Sequence, residues 1–251
     1  MVHSAPAAAQ EALWRQVVGE LRWSFKPPWV WLSGVAFNAV LSLLWLVVEP
    51  LTGRPHRDWA IMVGSYFAVW ILADVTTTNM LGADALRVRI ALLRDVGLRR
   101  LLLIKNIALL LIVALPTLLA TAIITVATEA NYRLALTLPG VLFPILTWLG
   151  VGNLASVLLP VATVTWHERW RQRRNGRTSA RWLASLVLPY ALLGATDPVS
   201  ALPRLVIRQL RFLPPTAHAR GAVLCALGLA IWGAGTVLAL GLNRLKPIRI
   251  R

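Results

Sequence analysis

Cysteine, histidine and acidic residues are scarce in this chain of 251 residues. The one cysteine, Cys225, allows neither a disulfide within the chain nor a cysteine-based metal site. The four histidines are scattered over the tail and the loops, and neither HExxH nor GxSxG occurs, which excludes the common hydrolase motifs. A GxxxxGKS/T phosphate loop is also absent, and no acidic cluster adjoins an apolar run to hold Mg²⁺. We therefore predict no catalytic residue, no metal ligand and no cofactor bound by this chain.

Long apolar runs take up most of the sequence instead. Hydrophobic residues make up 57% and charged residues 14% of the chain, against about 45–50% and about 25% in soluble domains. A bilayer core of about 30 Å requires about 20 helical residues. The runs predict an all-α membrane protein with a domain at 29–243 that has six transmembrane helices, the fifth of them short. Their approximate ranges are 29–48, 59–81, 101–127, 136–166, 182–195 and 222–242.

The chain is strongly basic, with a net charge of +16. A basic face on a soluble module would indicate nucleic-acid binding. Here the basic residues lie in short loops between apolar runs, where anionic membrane lipids attract them, so we expect no nucleic-acid partner. With the N-terminus inside, segments 1–28, 82–105, 167–181 and 243–251 hold 19 basic residues and the outer loops hold 7. This asymmetry predicts a multi-pass protein with both termini cytoplasmic, and the arginine-rich composition suggests a bacterial plasma membrane.

The cytoplasmic tail at 1–28 contains an amphipathic pattern. Apolar residues at positions 13, 14, 17, 18, 21 and 25 share one helical arc, and Glu20 lies among the polar residues that fall mostly on the opposite side. This pattern predicts an interfacial helix in the membrane surface, ended by Pro27 and Pro28. The alternative is a soluble helix that packs on the loops.

Two loops are too apolar to be simple turns. In segment 82–105, Leu86, Ile90 and Leu93 recur at helical spacing among arginines, which predicts a helical hairpin broken near Gly97. It is either a docking element for a soluble partner or a basic loop held at the lipid surface. Segment 199–216 is apolar and interrupted by prolines, and it predicts an extracellular re-entrant helical segment.

A few polar residues lie within the predicted spans. Asp74 is either a proton relay or the partner of a loop arginine or of the cluster Thr76–Asn79. Asn153 and Ser156 lie on one face of the fourth span, where they contact substrate or form a structural hydrogen bond between helices. Our candidate substrate pathway comprises Asp74, Asn79, Asn153 and Ser156.

The sixth predicted span carries a ridge of small residues. Ala222, Ala226, Ala230 and Ala234 follow one another at four-residue spacing, with glycines nearby. Small residues let two helices approach closely. This face packs either against a second subunit or within the monomer.

Two segments, together with the order of the elements, resemble the permease subunit of a type 2 ATP-binding-cassette (ABC) exporter. TTTNMLGADALRVRIALLRDVGLRRLLLIKN, at 76–106, is similar to the first intracellular loop of that family and its entry into the third span. LGVGNLASVLLP, at 149–160, is similar to a stretch of the fourth span. The resemblance covers about residues 10–243.

The resemblance implies ATP-driven efflux of a drug, lipid or glycan. Two permease subunits, identical or homologous, would form a dimer on two separate ABC ATPase subunits that bind ATP and Mg²⁺. This chain would then be a transport subunit and not an enzyme; the alternative is an integral membrane enzyme or an accessory membrane subunit without transport activity. The basic loop 167–181 would be a second, smaller ATPase contact. The main coupling element would comprise Arg87, Arg89, Leu93, Arg94, Asp95, Arg99 and Arg100.

Overall fold

The computed structural model describes six ranges of the chain and a few isolated positions. The ranges are 5–26, 78–94, 96–128, 131–162, 174–196 and 216–246, and the isolated positions are 36, 40, 44, 64, 72, 167, 170, 171 and 248. Regular structure within them is helical, which confirms the predicted all-α class. Most of the predicted spans 29–48 and 59–81, and nearly all of segment 199–216, lie outside the described residues.

The described α-helices are labelled in chain order. A π-helical turn, Leu110–Ala114, lies between two of them just before Pro116, and a 3-10 turn, Asn131–Arg133, precedes the helix that begins at Leu134. The helices are α1 (Ala5–Ser24), α2 (Met80–Ala83), α3 (Ala85–Leu93), α4 (Leu98–Leu109), α5 (Leu115–Thr128), α6 (Leu134–Leu158), α7 (Gly176–Thr196) and α8 (Ala217–Leu245).

Three described helical stretches are long and apolar enough to cross a membrane. They are Leu98–Ala127, Asn131–Leu158 and Ala217–Leu245. Their outer faces carry exposed aliphatic side chains, such as Leu119 and Ile123 on α5 and Val237 on α8. Large exposed apolar surfaces of this kind suit contact with lipid rather than water.

Helix α6 is the central helix and contacts α2, α5, α7 and α8. Its buried residues extend from Thr137 to Val157 and lie on every face, as expected for a helix that is apolar all round. Proline disfavours helical backbone in the residue before it, so α6 ends at Leu158, ahead of Pro160 and eight residues before the predicted end of the span.

Glycines set the contact between α6 and α8. A Cβ atom on Gly235 would collide with the backbone of Gly150, and one on Gly221 would collide with the carbonyl oxygen of Ala135. Gly228, midway between them, packs on Leu146. The alanine ridge at positions 222, 226, 230 and 234 is exposed instead, so glycines make the close contact within the monomer.

These contacts also give the relative directions of the helices. Positions 221, 228 and 235 of α8 meet progressively later residues of α6, so the two helices run parallel. The chain must therefore return to the opposite end of the bundle between residues 158 and 217. Helix α7 has 21 residues, about 31 Å of helix, and it packs on α6 through Trp148 and Tyr190, whose ring centroids are 5.7 Å apart. This length and this contact suit a return crossing, although α7 begins six residues before the predicted span.

The end of α8 lies at the same end of the bundle as α2 and the beginning of α4. Helix α8 contacts α4, and it runs parallel to α6, whose end contacts Gly82 of α2. We call this end of the bundle the Leu98 end.

Candidate functional site

Hydrogen bonds tie the beginning of α2 to the end of α6. The Nδ2 of Asn79 donates to the carbonyl oxygen of Val161 at 2.5 Å, and its Oδ1 accepts from the Val161 amide at 3.3 Å. The Oγ of Ser156 donates to the carbonyl oxygen of Thr78 at 2.9 Å. Since α6 has ended by Val161, Asn79 satisfies backbone groups that have lost their helical partners. A Cβ atom on Gly82 would collide with the Val161 carbonyl oxygen, so glycine permits this contact.

Asn153 lies at the glycine contact between α6 and α8. Its Nδ2 donates to Oγ1 of Thr236 at 2.8 Å, and that hydroxyl donates to the carbonyl oxygen of Trp232 at 2.8 Å. The Oδ1 of Asn153 and the Nε1 of Trp232 are buried without a hydrogen-bond partner among the described residues. The structural hydrogen bond between helices is therefore present. A substrate pathway that includes Asn79, Asn153 and Ser156 stays a prediction, and Asp74 lies outside the described residues.

The predicted coupling element divides into outward-facing and inward-facing residues. The break near Gly97 is confirmed, since Gly97 is extended, with φ −60° and ψ 142°, between α3 and α4. Leu93 is 76% exposed, and Arg89, Arg94 and Arg99 are also exposed. The two remaining described members, at positions 87 and 100, contact α1, and position 95 lies outside the described residues.

A charge cluster that is buried except for its arginine, whose side chain is 41% exposed, joins α1, α3 and α4 at the Leu98 end. Its members are Glu20, Asp84, Arg87 and Lys105. The Nζ of Lys105 lies 2.6 Å from Oε1 of Glu20 and 3.3 Å from Oδ2 of Asp84. The Nη1 of Arg87 lies 3.1 Å from a carboxylate oxygen of each acid. The Trp23 ring packs against both cations, 5.2 Å from Cζ of Arg87 and 5.5 Å from Nζ of Lys105.

Burial makes this cluster a strong tether. Glu20, Asp84 and Lys105 are each at most 7% exposed, so water can compensate their charges only weakly. Removing one member of such a group leaves a buried charge without compensation. Desolvation raises the pKa of the Asp84 carboxyl, while Lys105 and Arg87 oppose that rise and Glu20 adds to it.

The amphipathic pattern of the tail predicts Glu20 mostly on the solvent side, and the predicted loop 82–105 includes Lys105. Glu20 is buried because α1 packs on α4 through the face that also carries Val17 and Ser24. One signal could have revealed the cluster. Lys105 is the one charged residue in LLLIKNIALLLIVAL, and charges within apolar runs are usually paired.

Helix α1 has a second, exposed apolar face. Trp14 and Phe25 are each 55% exposed, and Val18 and Leu21 lie between them. We call these four residues the α1 strip. The predicted apolar arc thus divides, with Val17 facing the protein and the α1 strip facing outward. An outward apolar strip of this kind suits a helix lying in a membrane surface.

Comparison with protein-family models, with curated proteins and with solved structures finds no match for this chain. Resemblance to an ABC exporter permease therefore stays a prediction from the sequences 76–106 and 149–160 and from the order of the elements. The structure adds a hydrogen bond between these two segments and the contacts of 76–106 with α1.

Proposed function

We propose that this chain is the transmembrane permease subunit of an ATP-driven ABC exporter. It would move an amphipathic drug, lipid or glycan across the plasma membrane, with ATP and Mg²⁺ bound by a separate ATPase subunit. The observation that carries the proposal is an exposed apolar and basic face of α3, anchored to two other helices by the charge cluster. This face, the α3 strip, comprises Leu86, Arg89, Ile90 and Leu93.

The α3 strip has the composition of a protein docking surface. Leu86 is 72% exposed and Leu93 is 76% exposed, on a helix outside the three membrane-length stretches. Exposed leucines beside an arginine suit a protein partner, because apolar cores flanked by arginine are common at interfaces. In an exporter this partner would be the ATPase.

The charge cluster would carry the motion of the strip into the bundle. Arg87 lies on α3 and binds the carboxylates of Glu20 and Asp84, which in turn bind Lys105 on α4. A displacement of α3 would thus move α1 and the entry of the third span together. ATP would shift such a two-state equilibrium through its different affinity for the two arrangements of the ATPase.

The positions of α1 and of the end of α8 in the bundle fit an even number of spans. Helix α1 contacts the beginning of α4 through Gln16 and Arg100, and α8 ends at the same end of the bundle. Helix α7 has the length that a return crossing requires. In the proposed arrangement the Leu98 end is cytoplasmic, the α1 strip lies in the membrane surface, and 199–216 forms the outer re-entrant segment. A second permease subunit would complete the pathway.

The proposal is tested by co-expressing the full chain with an ABC ATPase encoded beside it. The double variant Arg89→Glu, Leu93→Asp changes only exposed residues of the α3 strip, so insertion into the membrane should be retained. We expect loss of co-purification and of stimulated ATP hydrolysis, because the docking face would carry negative charge. Arg244→Glu, an exposed charge reversal in the last turn of α8, is the control and should leave both unchanged.

Two outcomes would contradict the proposal. One is undiminished co-purification of the double variant; the other is an equal loss in the Arg244→Glu control. A wild-type chain that never retains an ATPase would instead favour a membrane enzyme or an accessory subunit.

A further inference from the structure

A cavity of about 530 Å³ lies between α1, α3 and α4, beside the charge cluster. It is within the roughly 300–1,000 Å³ typical of small-molecule sites. Gln16 and Gly19 contribute from α1, Arg87 and Arg94 from α3, and Lys105 from α4. The transport proposal assigns no ligand to this cavity, although Ile90 of the α3 strip lies in its lining.

The lining of the cavity has an excess of positive charge. Three basic side chains, of Arg87, Arg94 and Lys105, face two acidic ones, of Glu20 and Asp84. Both acids are already paired within the charge cluster. The uncompensated charge therefore belongs to Arg94, which is exposed and has no ion-pair partner in the described part of the chain.

Arg87 also has donors to spare. Its ion pairs with Glu20 and Asp84 both use Nη1, one nitrogen of a guanidinium that carries several N–H donors, and the guanidinium also lies over the Trp23 ring. Arg94 directly follows the last residue of α3 and lies seven residues after Arg87, so both lie on one side of this helix about two turns apart. Planar guanidinium groups with free N–H donors suit the oxygen atoms of a phosphate group.

The remaining lining is apolar. Ile90, Val96, Leu101 and Ile104 form walls beside the two arginines. A ligand that fills the cavity would thus combine an anionic oxygen group with an apolar body.

The cavity opens away from the face of α1 that suits a membrane. At 3.6 residues per turn, Gln16 and Gly19 lie roughly 130–170° around the helix from the α1 strip. If that strip rests on lipid, the cavity faces water. A soluble ligand is therefore favoured over a lipid headgroup.

We propose that this cavity binds a small organic phosphate from the aqueous side, with the phosphoryl oxygens accepting hydrogen bonds from Arg87 and Arg94. Such a ligand would bridge the two ends of α3 and pack against α1 and α4. It would stabilise one arrangement of these helices. The proposal does not depend on an ATPase partner.

The test uses the purified full chain in neutral detergent, with phenyl phosphate as the probe and ³¹P line broadening as the measure of binding. Saturable binding is expected for the wild type. Arg94→Gln should weaken it about tenfold or more, since a charged hydrogen-bond donor is lost. Arg89→Gln is the matched control, because it removes the same charge from the same helix outside the cavity, and it should change affinity less than twofold.

Gly19→Leu tests the cavity without changing charge. A Cβ atom at Gly19 would meet nothing within 4 Å, so the larger side chain can enter the cavity without disturbing the fold. This variant should lose phenyl phosphate binding while its melting temperature stays at or above that of the wild type.

Four results would overturn the proposal. They are no saturable binding, equal weakening by Arg94→Gln and Arg89→Gln, unchanged binding in Gly19→Leu, and displacement of the probe by phosphatidylglycerol but not by inorganic phosphate. The last result would identify a lipid site instead.

Discussion

The glycine contact between α6 and α8 makes a sharp prediction for Gly235→Ala. The added Cβ atom would lie 2.7 Å from the carbonyl carbon of Gly150 and 2.9 Å from its Cα, and closer still to its oxygen. Ordinary van der Waals contact begins near 3.4 Å. The two helix backbones would therefore have to move apart by up to about 1 Å, which disrupts neighbouring contacts along the whole interface.

Gly233→Ala is the matched control. Gly233 lies two residues away on the same helix, and a Cβ atom there would meet nothing within 4 Å. Both substitutions gain about 0.5–1 kcal/mol from helix propensity, so this gain cancels when the two variants are compared. The difference between them isolates the packing collision.

Overpacking a close contact typically costs about 1–3 kcal/mol. For a chain of this size each kcal/mol shifts the melting temperature by about 2–4 °C, so Gly235→Ala should melt about 2–12 °C below Gly233→Ala. Thermal unfolding of both variants in the same detergent measures this difference. Equal melting temperatures would refute the parallel, backbone-to-backbone packing of α6 and α8.

Two further predictions concern the charge cluster. Lys105→Met leaves the two buried carboxylates of Glu20 and Asp84 to share Arg87, so the free energy of unfolding should fall by about 3–5 kcal/mol. Hydrogen exchange should then quicken in α1, and adding Glu20→Gln should recover part of the lost stability. Unchanged exchange in α1 would show that the cluster is not a tether. Asp84→Asn tests how the stability of the protein depends on pH. The charged groups that face Asp84 are Glu20, Arg87 and Lys105. Burial raises the Asp84 pKa above 3.8, so the stability contributed by Asp84 falls as pH rises from 3.8 through the raised value. The melting temperature of the wild type minus that of Asp84→Asn should therefore decrease over this interval, and an increase would mean that attraction to the two cations outweighs desolvation.

Local sequence signals predicted most of the described helices but not all of their ends. The fourth span is predicted to reach residue 166, but α6 ends at Leu158, because the helical backbone is disfavoured before Pro160. Gly97 was expected to break the hairpin, and it separates α3 from α4. Residues 176–181 were expected in a basic loop, but they form the first turns of α7.

The candidate sites were less accessible to sequence reasoning. The exposed leucines of α3 follow from helical spacing and could be predicted. The partners of Asn79 and Ser156 lie about 80 residues away in sequence, at Val161 and Thr78 respectively, and no local pattern identifies them. The same holds for the cavity, whose lining comes from three helices.

The sequence by itself determined that this chain is helical and that its apolar stretches are long enough to span a membrane, because a backbone in lipid must satisfy its hydrogen bonds within each segment. Only the tertiary structure decided which face of each helix is buried. In the folded chain the glycines at 221, 228 and 235 pack against α6, and the alanine ridge does not. Lys105 binds Glu20, which lies 85 positions away in the sequence. Helical periodicity defines the faces of one segment, but the pairing of faces depends on shape and charge in segments that are distant along the chain.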